Sequence, residues 1–163
     1  MKSESPVYGE AVLKEYPNST RWIEGRRLLG EGNLILTNKR LVFLNRVVIS
    51  ERQNEKMKEL EGSPINEILD FALTLHKRNF QIPLSSIVAA DRHRFALLPF
   101  PRFCLRLTYL SGSRQKEKTL VFIFTIPVLK GFFQLEITIV MGWVRMIRKV
   151  LKARQYGLGR VVT

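Results

Sequence analysis

The alternation of apolar side chains in residues 32–44 is the feature that most constrains what this chain can fold into. The segment reads Gly-Asn-Leu-Ile-Leu-Thr-Asn-Lys-Arg-Leu-Val-Phe-Leu. Leu34 and Leu36 fall on one face of an extended strand, and Leu41 and Phe43 fall on one face of the next. An asparagine lies between the two runs and tolerates the left-handed backbone of a tight turn. The segment is therefore predicted to form an antiparallel hairpin with one buried face.

Other parts of the chain have the same period of two. Upstream, residues 11–16 and 21–29 are predicted strands, separated by a turn at the Pro-Asn-Ser sequence of residues 17–19. Downstream, a Ser-Gly-Ser turn joins two strands into a second hairpin. The strands predicted downstream are 81–89, 103–110 and 118–125.

Helical periodicity separates these two groups of strands and returns at the end of the chain. Residues 51–60 and 65–77 are predicted helices, and Ser63 with Pro64 suits the start of the second one. Residues from about 127 to about 155 are predicted to form a terminal helix.

Three motifs resemble those of a known family. The sequence Gly32-x-Leu-x-Leu-Thr-Asn-x-Arg-Leu-x-Phe resembles the signature hairpin of the GRAM domains, a branch of the pleckstrin-homology-like (PH-like) superfold. The Ile-Pro-Leu-Ser-Ser-Ile sequence of residues 82–87 is similar to the next strand of that family, and residues 105–124 are similar to its late hairpin. The insertion at about 47–81 has no counterpart in the family pattern.

The resemblance implies an α+β, mainly β fold. We expect a bent antiparallel sheet, or partly open barrel, of about seven strands, capped by the C-terminal helix and interrupted by a helical insertion. The 45% hydrophobic and 25% charged content is typical of a globular protein. Residues 1–163 are accordingly expected to form a single GRAM or PH-like domain.

The net charge of +13 is unevenly distributed. Residues 81–163 carry fourteen basic and three acidic side chains, whereas the rest of the chain is close to balanced. A surplus of this size attracts polyanions over long range. Anionic membrane and nucleic acid are both candidate partners, although a merely solvated basic face remains an alternative.

The family resemblance implies candidate lipid contacts near the first hairpins. PH-like relatives often bind phosphoinositide headgroups through basic residues there, which makes Arg26, Arg27, Lys39 and Arg40 candidates in this chain. A basic turn such as Lys39-Arg40 is also what a solvated hairpin tip requires.

Residues 91–103 form a second candidate lipid surface. Leu97, Leu98 and Phe100 are candidates for insertion into a bilayer, because arginines that can hold lipid phosphates flank this apolar tip. Those flanking arginines are Arg92, Arg94 and Arg102. The alternative is that the apolar side chains of this segment tuck under the sheet as an irregular strand edge.

The predicted terminal helix is apolar over an unusually wide arc. One stripe suits the core, and a second is rotated to one side of it. The second stripe is a candidate partner surface and consists of Ile139, Trp143, Met146 and Val150. It could also pack against the helical insertion or lie in a membrane interface.

No catalytic constellation is visible in the sequence. The two histidines lie in different contexts, there is a single cysteine, and no phosphate-binding loop or metal-ligand spacing is present. We therefore expect a binding module and not an enzyme, with no cofactor and no metal.

Three hypotheses for function remain. The first is peripheral binding to an anionic membrane lipid. The second is a protein-interaction module, including a homodimer, that uses the C-terminal helix or a sheet edge, and the third and weaker one is nucleic-acid binding. The first residues lack the uninterrupted apolar stretch of a secretory signal, and charged side chains interrupt the longest apolar region. We expect a cytoplasmic location, peripheral to the inner face of a membrane if lipid is the partner.

Overall fold

The computed structural model describes residues 9–24, 27–97, 100–125 and 132–158. Within these ranges, the side chains at 18–19, 95–97, 100–101, 132–134 and 157–158 are not described. The elements in chain order are β1 (Val12–Glu24), β2 (Arg27–Thr37), β3 (Arg40–Asn45), α1 (Glu51–Glu59), α2 (Ile65–Thr74), β4 (Phe80–Pro83), a short 3₁₀ turn (Leu84–Ser86), β5 (Ile87–Leu97), β6 (Phe100–Ser111), β7 (Lys116–Phe124) and α3 (Phe132–Leu158).

The seven strands that the structure describes form one antiparallel sheet in the order β4-β3-β2-β1-β7-β6-β5. Strands at opposite edges of this sheet contribute to the same buried cluster, for example Ile82 of β4 and Ala90 of β5. The sheet must therefore bend strongly around a common core. This arrangement confirms the bent antiparallel sheet of about seven strands that was predicted.

The first predicted hairpin is confirmed as β2 and β3. Leu34 pairs with Phe43 and Leu36 with Leu41, and all four side chains are fully buried on the concave face. Gly32 lies inside β2, where a Cβ atom would sit 1.9 Å from the carbonyl oxygen of Leu44. Its role is thus to allow close contact between neighbouring strands.

The prediction of two separate strands before this hairpin is wrong. β1 runs unbroken through residues 17–19, where the predicted turn is instead a shift in pairing register between Tyr16 and Thr20. Such an irregularity accommodates Pro17, which has no N–H group to donate to a regular ladder. The chain reverses later, between the paired residues Glu24 and Arg27.

Residues 91–103, for which an apolar tip and an irregular strand edge were both left open, belong to the hairpin of β5 and β6. Pairing continues without interruption from Asp91 with Arg106 to Leu97 with Phe100, and Pro101 pairs with Ala96. The second predicted hairpin, now β6 and β7, is confirmed through the pairing of Leu107 with Leu120.

The helix α3 packs on the concave face of the sheet, against β5, β6 and β7. Trp143 is fully buried there, and its ring stacks on Phe124 with centroids 5.8 Å apart. Trp143 therefore belongs to the core of the monomer and does not form a partner surface. The other members of the predicted partner stripe are partly buried against the same core, and they are Ile139, Met146 and Val150.

The helical insertion packs on the opposite, convex face. α2 places Leu69 against Ile35 of β2 and Val42 of β3, whose side chains point away from α3. The insertion therefore cannot cover the second stripe of α3, which was one predicted arrangement. α1 has no buried residue, and Ser50 caps it by accepting a hydrogen bond from the Gln53 amide at 3.4 Å.

A buried ion pair fastens the start of α3 to β6. Arg102 Nε lies 2.7 Å from Glu136 Oε1, and the second carboxylate oxygen of Glu136 accepts from the Phe103 amide at 3.3 Å. The Glu136 side chain is fully buried, and that of Arg102 is 25% exposed. Removing one member would leave the other charge in a poorly solvated position.

We predict that Glu136→Ala destabilises the fold by about 2–4 kcal/mol, because it removes the buried carboxylate that pairs with Arg102 and accepts from the Phe103 amide. Urea unfolding measures the change, with the exposed Glu55→Ala of α1 as the control. The double variant Arg102→Met/Glu136→Met is expected to recover part of the loss. An unfolding midpoint for Glu136→Ala equal to that of the control would contradict this role for the ion pair.

Candidate functional site

A cavity of about 380 Å³ opens at the end of the sheet where β1 turns into β2 and β6 turns into β7. We call it the mouth. Its floor is apolar and includes Trp22, Phe80 and Leu120, and its rim carries Lys77, Arg78 and Lys118. The mouth of a β-barrel is a frequent place for small ligands to bind.

The floor of the mouth is an aromatic cluster. The Trp22 ring centroid lies 4.8 Å from that of Phe80 and 6.1 Å from that of Phe43. Phe80 also lies 6.5 Å from Phe122, so rings from four different strands meet beneath the cavity. Edge-to-face and stacked contacts of this kind make a rigid base.

Hydrogen bonds to the ends of neighbouring strands position the cationic residues of the insertion. Asn79 accepts from the Asn45 amide at 2.7 Å and donates to the Ala72 carbonyl at 2.8 Å, which ties the chain after α2 to β3. The Arg78 guanidinium donates to the Leu29 carbonyl at 2.7 Å. Lys77 and Arg78 are thereby held beside the start of β2.

Lys118 lines the mouth from β7, whereas Lys77 and Arg78 belong to the segment between α2 and β4. It pairs in register with Tyr109, which also lines the cavity. Burial raises the pKa of Tyr109, and the negative charge of Glu24 raises it further. Between the ordinary and the raised pKa, the folded protein keeps a proton that the unfolded chain has lost, so this residue destabilises the fold at alkaline pH. At neutral pH Tyr109 is an uncharged donor within a net positive rim.

Two exposed apolar side chains flank the first hairpin. Leu28 at the start of β2 is 57% exposed, and Val48, in the segment after β3, is fully exposed. Leu28 pairs with Ile23 beside the reversal from β1 to β2, and the Arg46 amide, two residues before Val48, donates to the Glu31 carbonyl at 2.8 Å. Neither Leu28 nor Val48 lines the mouth itself.

The structure separates the lipid contacts that were predicted at the first hairpins. Arg27 begins β2 at the mouth end and is exposed, while Arg26 lies outside the described residues. Lys39 and Arg40 lie at the β2–β3 turn, at the opposite end of these strands. Lys39 is exposed, and its carbonyl accepts from the Leu84 amide at 3.0 Å.

Arg40 is a structural residue, which corrects the prediction of an exposed lipid contact. Its guanidinium bonds both carboxylate oxygens of Glu10, at 2.7 and 2.9 Å, and one oxygen of Asp70 at 2.5 Å. The side chain is 12% exposed and also contacts Gln81. Burial alone would lower the pKa of Arg40, but the hydrogen bonds to Glu10 and Asp70 outweigh it and raise the pKa. Two carboxylates already neutralise this charge.

The residues predicted around the second lipid surface also have different environments. Arg92 and Arg94 are exposed on β5, and the Arg92 guanidinium lies 5.5 Å from the centre of the Phe103 ring. Arg102 is engaged with the buried Glu136 and does not offer its charge to a phosphate. Leu98 and the side chains of Leu97 and Phe100 lie outside the described part of the chain, so their insertion into a bilayer stays a prediction.

The comparisons with known proteins bear on the fold. No family model matches the sequence, and the search of curated proteins found no significant match. Among solved structures, the Vps36 N-terminal PH domain superimposes with a TM-score of 0.51 at 12% sequence identity, over 88% of this chain and 83% of that one. This chain has a PH-like fold. At this identity the similarity concerns the architecture alone.

Within this PH-like fold, the basic rim of the mouth was not recognised from the sequence. Lys77 and Arg78 lie shortly before β4, and Lys118 is the third residue of β7. The sequence does indicate this rim through the positions of its cations, which lie near the ends of strands. Strand ends that meet in a barrel form one rim, so cations at those ends lie close together.

In the described ranges, no helix combines the length and hydrophobicity needed to cross a bilayer.

Proposed function

We propose that this chain is a non-enzymatic membrane-surface module of the GRAM type, which binds an anionic lipid headgroup such as a phosphoinositide in the mouth. The observation that carries the proposal is the convergence of Lys77, Arg78 and Lys118 on one rim above a rigid aromatic floor. The PH-like fold supports a binding role, and the chemistry of the rim supports an anion as the ligand.

The charge of the mouth favours a phosphorylated headgroup over a neutral one. Three basic side chains line it against one carboxylate, that of Glu24. Each basic residue close to an anionic surface contributes about 1 kcal/mol, and the effect decays within a Debye length. Tyr109, Asn79 and Ser111 line the same cavity and supply the neutral polar groups that hydroxyls of a headgroup would require.

Exposed apolar side chains favour a headgroup that is attached to a bilayer over a soluble anion. Leu28 is 57% exposed next to Leu29, which lines the mouth, and Val48 is fully exposed in the segment after β3. Insertion of these side chains among lipid acyl chains would bury their surface while the cations meet the phosphates. Nucleic acid offers phosphates but no apolar phase, which makes it the weaker partner.

Charge reversal at the mouth tests the proposal. We predict that Lys77→Glu/Lys118→Glu weakens binding to vesicles containing phosphatidylserine and a phosphoinositide by roughly thirtyfold or more, from the loss of two attractive charges. Arg78 is left in place because its guanidinium bonds the backbone of β2. Cosedimentation measures the binding at two salt concentrations, with Lys56→Glu/Lys58→Glu on α1 as a control of equal charge change.

Equal losses in the two double variants would show that net charge alone drives association and would contradict a site at the mouth. Binding to DNA or RNA that exceeds binding to anionic vesicles, in a gel shift at the same salt concentration, would favour the nucleic-acid hypothesis instead.

The exposed Val48 side chain yields an independent prediction. Val48→Glu should weaken vesicle binding severalfold without changing thermal stability, because Val48 is fully exposed, outside the core, and is proposed to insert into the bilayer. Val12→Glu is the matched control, since Val12 is an exposed valine at the end of β1 far from the mouth. Binding by Val48→Glu that equals binding by Val12→Glu would exclude a role for Val48 in insertion.

A further inference from the structure

A second cavity lies between the edge strand β5 and the helix α3. It has a volume of about 640 Å³, and we call it the edge groove. β5 contributes residues 88–91 to one wall, and α3 contributes a row of basic side chains to the other. The edge groove and the mouth share no lining residue. The two cavities are therefore distinct sites.

The backbone of β5 can accept another strand. β5 is the last strand on its side of the sheet, so alternate residues direct their N–H and C=O groups away from β6. The Ala90 carbonyl is one such group, and it accepts a hydrogen bond from Arg148 Nε at 2.9 Å. A side chain of α3 thus occupies the position that the amide of a neighbouring strand would take.

A β-bulge places an apolar side chain in the same groove. The pairing of β5 with β6 shifts register between Ile87 and Ala89, which leaves Val88 as the extra residue. Val88 is 54% exposed and lines the groove. Its side chain offers an apolar contact beside a free backbone edge, and this combination suits an extended peptide.

The charge of the groove determines which peptide fits. Its basic side chains are Arg145, Arg148, Lys149 and Lys152, and Asp91 is its one acidic residue. Asp91 is already neutralised, since its carboxylate lies 2.6 Å from Arg148 and 3.7 Å from Arg106. The groove therefore presents a cationic wall that complements an acidic chain.

We propose that the edge groove binds an extended acidic segment of another protein, which adds to the sheet as a strand beside β5. A backbone amide of the segment replaces Arg148 Nε at the Ala90 carbonyl, while Arg148 keeps its ion pair with Asp91. Lys149 and Lys152 pair with carboxylates of the segment along the helix, and an apolar side chain of the segment packs on Val88.

An anionic membrane is the main competing occupant, and the groove suits it less well. A bilayer surface supplies phosphates to the cations but cannot make the ladder of hydrogen bonds that the edge of β5 offers. An acidic segment uses both features together.

Fluorescence anisotropy with three labelled peptides tests the proposal. The first peptide alternates valine and glutamate, the second replaces glutamate with lysine, and the third replaces every second valine of the first with proline, which removes strand pairing but keeps all the glutamates and half of the valines. Saturable binding is expected for the first peptide alone. Lys149→Glu/Lys152→Glu should weaken it at least tenfold, whereas Lys56→Glu/Lys58→Glu on α1 should leave it unchanged.

Amide hydrogen exchange supplies the structural readout. Arg92 and Arg94 lie two and four residues beyond Ala90 on β5, so their amides also face outward and should gain protection when the first peptide binds. Absence of saturable binding, equal binding of the proline peptide, or binding without this protection would overturn the proposal. Loss of vesicle binding in Lys149→Glu/Lys152→Glu, without any peptide binding by the wild type, would identify the groove as a membrane surface instead.

Discussion

The rest of the structure depends on where α3 packs. The helix covers only part of the concave face, where Trp143 stacks on Phe124 and Glu136 holds Arg102. Rings of the remaining part, including Trp22 and Phe80, pack against one another and leave a cavity above them. One end of the sheet is thus closed by the helix, and the other end stays open to a ligand.

The elements predicted well are those whose structure is determined by residues close together in the sequence. The β2–β3 hairpin follows from its own alternation of apolar residues, and the β6–β7 hairpin follows from alternation around a Ser-Gly turn. The errors arise where distant partners decide the outcome. β1 continues past Pro17 because β2 pairs with it on both sides of the register shift, and β5 extends as far as Leu97 because β6 supplies a complete partner.

The candidate sites were harder to predict for the same reason. Arg40 looked like an exposed turn residue, but Glu10 and Asp70, each about thirty residues away, bury and neutralise it. The mouth unites the Lys77-Arg78 pair with Lys118, which is distant in sequence, so no local motif could reveal it. The wide apolar arc of α3 was visible, but only the curvature of the sheet shows that Trp143 lies within the core.

We propose the mouth as the anion site of this PH-like domain. Titrating the isotope-labelled protein with a soluble inositol phosphate, and following its backbone amide resonances, tests this most directly. We expect saturable shifts concentrated at residues 77–81, 109–111 and 118, around the mouth. Shifts concentrated at Arg92, Arg94 and Lys39, towards the opposite end of the sheet, would contradict an anion site at the mouth.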